Sequence, residues 1–354
     1  MIITRTPYRV SFFGGGTDYP GWYLKNGGQV LATTIDKYCY LTCRYLPPFF
    51  EHRIRIVYSK IENCFSVDEI QHPAVREGLR FLGIDRGVEI HYDGDLPSRS
   101  GIGSSSSFVV GLLHALHALQ GHMIDRKRLA NESIYLEQQV LRETVGSQDQ
   151  VSAAHGGLNH IRFLPNGDIS VTPMSIKRAR IGELNAHLML FYTGIKRTSQ
   201  QVAESYVKEI ASREKPLNDF QRLVGEAIDV LNGSADIRFF GKLLHEAWLI
   251  KRRLSKSVTN KHLDELYTQA RKAGAIGGKL LGAGGGGFLL LFAPPEAQAK
   301  IIRRFNKLIY VPFQFESTGS QIIFYEPLDN HADLDRKRKK NSITPFREWT
   351  AKDM

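Results

Sequence analysis

The chain has 354 residues, 42% of them hydrophobic, and a formal net charge of +11, enough for one large or two medium domains with a buried core. It contains no apolar run of about 18 residues, and residues 1–7 lack the charged-then-apolar layout of a signal peptide, so a cytoplasmic protein is expected. The charge admits nucleic acid, anionic surfaces or phosphorylated small molecules as partners and cannot choose among them.

Residues 2–13 read as a strand that runs into the glycine loop Gly14-Gly15-Gly16-Thr17-Asp18. Asp18 is placed either to accept hydrogen bonds from ligand hydroxyls or to close an ordinary turn. Arg9, alternating with Tyr8 and Val10, would be costly against a core without an anionic partner. Residues 30–46 and 53–59 read as further strands. Cys39, Cys43 and Cys64 form neither an even disulfide set nor a CxxC pair and read as reduced core thiols. A helix over 68–82 and a short strand over 88–92 lead into Asp95-Leu-Pro-Ser-Arg-Ser-Gly-Ile-Gly-Ser-Ser-Ser-Ser-Phe108. Phe108, Leu112, Leu116 and Leu119 fall on one helical face, so a helix capped by serine is expected to begin there. Its unpaired N–H groups, with Gly101 and Gly103 allowing close approach, suit a phosphate; a capped core helix is the plain alternative.

A second helix over 125–141 leads to a loop carrying Asp149, either a base, a metal ligand or part of a connector. Residues 156–163 and 169–174 form a hairpin around Pro165-Asn-Gly167, and 186–192 form another strand. The chain is then largely helical from 199 to 273. Gly282, Gly284 and Gly287 match GxGxxG, but the run 288–292 after them reads as a buried strand rather than a helix, which excludes a Rossmann site. No Walker sequence and no HRD and DFG pair occur, so nucleotide chemistry requires another scaffold. The basic run Arg336-Lys337-Arg338-Lys339-Lys340 lies in a polar terminal stretch that reads as a solvated tail.

Three motifs stand in order: PYRVSFFGGGTDYP, LPSRSGIGSSSS and KLLGAGGGGF. Together they resemble the GHMP kinases over residues 1–326. GGGTDYP, ETVGSQDQ followed by HGGLNHI, and LFYTGIKR are similar to the D-glycero-D-manno-heptose 7-phosphate kinase branch of that superfamily.

The resemblance implies an α+β, two-domain GHMP kinase fold with a left-handed crossover and an active site in the cleft between domains. The expected division is 1–185, 186–327 and a basic tail, 328–354. It also implies that Gly101, Gly103, Ser104, Ser105 and Ser106 bind ATP, and that Ser105 and Glu137 hold Mg2+, with Glu143 as a nearby competitor. Asp149 is the implied catalytic carboxylate, with Arg9 beside it. Gly15, Gly16, Thr17 and Asp18 face the sugar, and Gly15-Gly16 in place of the Glu-His of galactokinases leaves more room there. The late glycine loop is expected to pack against the phosphate loop.

The implied reaction is ATP-dependent phosphorylation of the anomeric hydroxyl of a heptose 7-phosphate. The partners are then a sugar phosphate and ATP, without nucleic acid or membrane. A fucose- or galactose-type kinase and a basic nucleic-acid-binding protein are the alternatives. A second substrate phosphate needs its own cationic pocket, for which Lys196 and Arg197 stand at a strand end; the same two residues read equally well as solvated charges.

Overall fold

The computed structural model describes residues 1–98, 100–195, 203–205, 207, 213–328 and 331–338. Its first sheet is built on β1 (Ile2–Phe13) and the 18-residue β2 (Gly28–Tyr45), followed by β3 (Ile54–Val57), β4 (Ile61–Cys64), β5 (Val88–Gly94), β6 (Asn159–Phe163) and β7 (Ile169–Pro173). The second comprises β8 (Leu188–Tyr192), β9 (Gly277–Leu280), β10 (Phe288–Phe292) and β11 (Ile309–Val311), in the order β11-β8-β10-β9. The chain then returns to the first sheet with β12 (Phe315–Glu316) on β2 and β13 (Gln321–Tyr325) on β1. Residues 315–325, grouped with the second domain on sequence, thus complete the first sheet.

Its main path is β13-β1-β2-β5-β3-β4, with β3 and β5 parallel. β2 changes neighbours along its length: residues 28–32 pair with β6, 34–35 with β12 and 39–45 with β5. Pro7, which has no N–H for the ladder, sits at a register shift in β1, and its carbonyl accepts Ser107 Oγ at 3.0 Å.

The helices of the first half are α1 (Pro20–Asn26), α2 (Pro73–Phe81), α3 (Ser104–Leu119), α4 (Arg126–Tyr135) and α5 (Gln148–His155). α3 is apolar nearly all round because it is sandwiched: it packs on β1 and β2 while α2, α4 and α5 cover it. Leu112, Leu113 and Leu116 are fully buried, each stabilising the fold by roughly 2 kcal/mol. Gly111 permits the close approach to β1, since a Cβ there would lie 2.8 Å from Thr6 Oγ1. The expected serine cap is absent: the N-cap is Gly103, with φ +73° and no side-chain bond. The helix expected over 125–141 is also interrupted. α4 passes into a π turn, Leu136–Val140, closed by Leu141 N–H donating to Leu136 O at 2.9 Å.

The second half contributes α6 (Arg178–Ala186), α7 (Glu214–Asn232), α8 (Arg238–Arg252), α9 (Lys261–Ala273) and α10 (Pro295–Arg304). α8 lies directly on β9, where a Cβ on Gly277 would fall 1.8 Å from Gly241 O. Phe240 of α8 meets Phe12 and Phe13 of β1 edge-on at 5.3 and 5.1 Å, joining the two halves through aromatic packing. Finally α11 (Ala332–Lys337) docks on the first half: Asp335 is buried and accepts Arg53 Nη2 and Gly87 N–H, both at 2.8 Å. The first part of the expected tail is therefore anchored rather than solvated. Cys39, Cys43 and Cys64 are buried and unbridged, and among the described residues no helix is long and apolar enough to cross a membrane.

Candidate active site

β1 carries Arg9 inward, and the first turn of α5 carries Asp149 to meet it; Asp149 is helical, not part of a connecting loop. Arg9 Nε donates to Asp149 Oδ1 at 2.6 Å and Nη2 to Oδ2 at 2.7 Å. The anionic partner that a buried arginine requires is thus Asp149. Its side chain remains 23% exposed, so a ligand can reach it, whereas that of Arg9 is 4% exposed. The third guanidinium nitrogen, Nη1, donates to Gly101 O at 2.8 Å, and Arg9 N–H donates to Ile102 O at 3.1 Å.

These bonds fix the loop before α3 against the ion pair. Gly103 lies so close that a Cβ there would stand 3.2 Å from Arg9 Cγ and 3.3 Å from Asp149 Oδ2. The N-terminus of a 16-residue helix therefore opens beside a carboxylate–guanidinium pair. Ser105 is exposed in the first turn, while Ser104 and Ser106 are buried. The late glycine loop closes the underside. A Cβ on Gly101, at φ +85°, would approach Leu281 O to 2.7 Å, and one on Gly282 would approach Gly101 Cα to 2.5 Å. Phe288 N–H donates to Ser100 O at 3.1 Å and Gly285 N–H to Val258 O at 2.8 Å.

The π turn points Glu137 into the interior beneath α3. Its Oε2 accepts Ser106 Oγ at 2.8 Å and Gln150 Nε2, while Oε1 is buried with no hydrogen-bond partner among the described residues. Burial pushes this carboxyl up to about 8, against the hydrogen bond from Ser106 and with the charge of Glu143 adding to the rise. A buried carboxylate with one unsatisfied oxygen suits a divalent cation, which would replace the lost hydration. The hydroxyl in contact with Glu137 is that of Ser106; Ser105 faces the opening.

The residues expected to face the sugar divide into two groups. Thr17 is fully buried, its hydroxyl donating to Gly14 O at 2.8 Å and accepting Gln29 N–H at 3.1 Å. Asp18 is also buried: Oδ1 accepts Gly16 N–H at 2.8 Å and Oδ2 accepts Gln148 Nε2 at 3.0 Å. Burial raises the Asp18 carboxyl, opposed by the Gly16 N–H and reinforced by Asp149. Both side chains hold the loop rather than facing outward from it. Gly15 is the more accessible position; a Cβ there would meet Gln148 Nε2 at 3.4 Å and Ser11 Oγ at 3.7 Å. Gln148 Oε1 and Ser11 Oγ are buried and have no partner among the described residues. Neither was singled out on sequence, since a serine inside a strand and a glutamine beside an aspartate carry no distinctive pattern. Lys196 and Arg197 lie outside the described residues.

Comparison with known proteins agrees with this arrangement. Residues 70–157 match the GHMP kinases N terminal domain and residues 231–310 match GHMP kinases C terminal. The chain is 30% identical over 329 residues to D-glycero-alpha-D-manno-heptose 7-phosphate kinase of Campylobacter jejuni, covering 86% of this chain and 93% of that protein. It is 25% identical to galactokinase of Pyrococcus furiosus, covering 81% and 87% of the two chains. Among solved structures, a D-glycero-D-manno-heptose 1-phosphate kinase from Bacteroides thetaiotaomicron superposes with a TM-score of 0.74 at 23% identity, over 92% of this chain and all of the other. With both family models matched and 30% identity to a relative over 86% of the chain, and with the glycine–serine loop before α3, the late glycine loop and the carboxylate–guanidinium pair side by side, the chain belongs to the GHMP kinase family.

Proposed function

We propose that the protein transfers the γ-phosphoryl group of ATP to the anomeric hydroxyl of D-glycero-D-manno-heptose 7-phosphate, giving the 1,7-bisphosphate. The observation that carries the reading is the close approach of Gly103 to Asp149, whose Oδ2 would stand 3.3 Å from a Cβ added there: the loop that cradles phosphate and the carboxylate that meets an acceptor share one wall. The 30% identity to a heptose 7-phosphate kinase supports the choice of sugar.

The ATP phosphates lie against the N–H groups opening α3, where the helix dipole and Gly101 and Gly103 favour an anion. The acceptor hydroxyl is held by Asp149. Its oxygen attacks Pγ, the bond from Pγ to the bridging oxygen breaks, ADP leaves, and the hydroxyl proton passes to the Asp149 carboxylate. Because phosphoryl transfer needs alignment and charge neutralisation more than a strong base, a carboxylate already paired with Arg9 suffices, and Arg9 offsets negative charge developing beside it. Glu137 and Ser106 at the inner side of the phosphate loop, with Ser105 at its opening, would hold Mg2+, which supplies further neutralisation of the phosphates. On the sugar side, Ser11 and Gln148 beside Gly15 offer hydrogen-bonding groups to hydroxyls. The 7-phosphate requires a separate cationic pocket, for which Arg197 is the candidate.

A panel of hexoses, heptoses and their phosphates, assayed for ADP release with ATP and Mg2+, tests the proposal. Heptose 7-phosphate should give the highest kcat/KM; a preference for unphosphorylated fucose or galactose would replace it with a plain sugar kinase.

A further inference from the structure

Two lysines of the second half are buried, Lys251 at the end of α8 and Lys279 in β9, with 9% and 7% exposure. Among the described residues neither is in an ion pair. A desolvated ammonium is costly, and a methionine would fill the same space without that cost, so the charged head groups call for an account beyond packing. Burial lowers the affinity of both for protons, and neighbouring cations add to the effect: Lys279 and then Arg9 for Lys251, Arg9 for Lys279.

Their donors reach main-chain carbonyls at two distinct places. Lys251 Nζ donates to Leu280 O at 2.9 Å and Gly282 O at 2.5 Å, on either side of Leu281. That is the segment lying backbone to backbone against Gly101, whose own carbonyl accepts Arg9 Nη1. Lys279 Nζ crosses between the sheets to donate to Phe12 O at 2.9 Å. Phe12 follows Ser11 and precedes the loop from Gly14 to Asp18, on the strand that carries Arg9.

We infer that Lys251 and Lys279 are positioning residues divided between the two substrates. Lys251 holds the late glycine loop beneath the phosphate loop and thereby sets ATP binding. Lys279 ties β9 to β1 and thereby sets the wall that faces the sugar. The inference rests on the kinase reading above and assigns each side of the cleft its own interior support.

The test is a crossed pair of variants in the full chain, Lys251→Met and Lys279→Met. Both are followed by steady-state kinetics, by calorimetric binding of a non-hydrolysable ATP analogue and of heptose 7-phosphate, and by thermal unfolding. Lys251→Met should raise KM for ATP and Kd for the analogue about tenfold, leaving KM for the sugar phosphate within about twofold; Lys279→Met should do the reverse. Lys251→Gln and Lys279→Gln keep an N–H donor for a carbonyl and should recover most of the affected constant; they also decide the matter if a methionine variant does not fold. Loss of thermal stability with both constants unchanged, or an equal rise of both constants in each variant, would overturn the division of roles. If the wild-type protein phosphorylates no sugar or sugar phosphate, the kinase reading fails, and the two binding measurements still test the lysines separately.

Discussion

Arg9 grips Asp149 through both carboxylate oxygens while its remaining nitrogen holds the carbonyl of Gly101. One side chain therefore sets the distance between the carboxylate proposed to meet the acceptor and the loop proposed to meet ATP. In phosphoryl transfer that distance matters more than basicity, because the loose transition state rewards alignment.

Asp149→Asn keeps the side-chain volume and removes the charge. Turnover should fall by roughly 10² or more while Kd for an ATP analogue stays close to wild type, and the unfolding midpoint should drop because buried Arg9 loses its charged partner. Near-wild-type turnover in this variant would remove Asp149 from the reaction.

Glu137 yields a test on metal and a test on pH. Glu137→Gln should raise the Mg2+ concentration for half-maximal activity about tenfold; a shift seen with Glu143→Gln and absent from Glu137→Gln would transfer the metal to Glu143. The carboxyl stands at about 8 in the fold, against 4.5 for its ordinary value. Between those values the unfolded chain has released a proton that the folded chain keeps, so the contribution of Glu137 to metal-free stability is full below pH 4.5 and is lost progressively as pH rises to 8. Glu137→Gln removes this loss. Urea midpoints compared at pH 6 and about pH 8.5 should separate the two proteins on the alkaline side, in favour of the variant.

The contact between the two glycine loops leaves no room for a methyl group. Gly282→Ala, at φ +61° and 2.5 Å from Gly101 Cα, should destabilise the protein by about 2 kcal/mol and weaken ATP binding more than sugar binding. Gly83→Ala is the control: φ is also positive, at +65°, but nothing lies within 4 Å, so it should cost about 1 kcal/mol with ATP affinity intact. Equal ATP affinity in the two variants would argue that the late loop does not support the phosphate loop.

Much of this arrangement was legible in the sequence, and what was not has local causes. The β-branched and aromatic content of β1, the apolar density of α3 and the hairpin of β6 and β7 follow from propensity, period and turn chemistry, and the three motifs in order give the family. Arg9 could be flagged because an arginine within a buried strand needs an anion, although Asp149 as that anion came only from the resemblance. The π turn was not legible, since a single extra residue per turn leaves no compositional trace, yet it is what directs Glu137 inward. Thr17 and Asp18 were expected to face the sugar. The structure turns them inward because the chain doubles back after Gly14, bringing Gln29 and Gln148 onto their oxygens. Lys251 and Lys279 were missed because lysine in helical or strand periodicity reads as surface, and only a tertiary fold shows an ammonium facing carbonyls. Asp335 was hidden in the same way, next to a basic run that reads as solvated.

The position and identity of the phosphorylated sugar test the account most directly. Heptose 7-phosphate is incubated with ATP, Mg2+ and the protein, and the product is examined by 31P and 13C NMR, with unphosphorylated heptose as the parallel substrate. The account predicts a new phosphate coupled to the anomeric carbon, one equivalent of ADP per product, and much slower turnover of the unphosphorylated sugar. Transfer to a ring hydroxyl, or equal turnover of the two sugars, would contradict it.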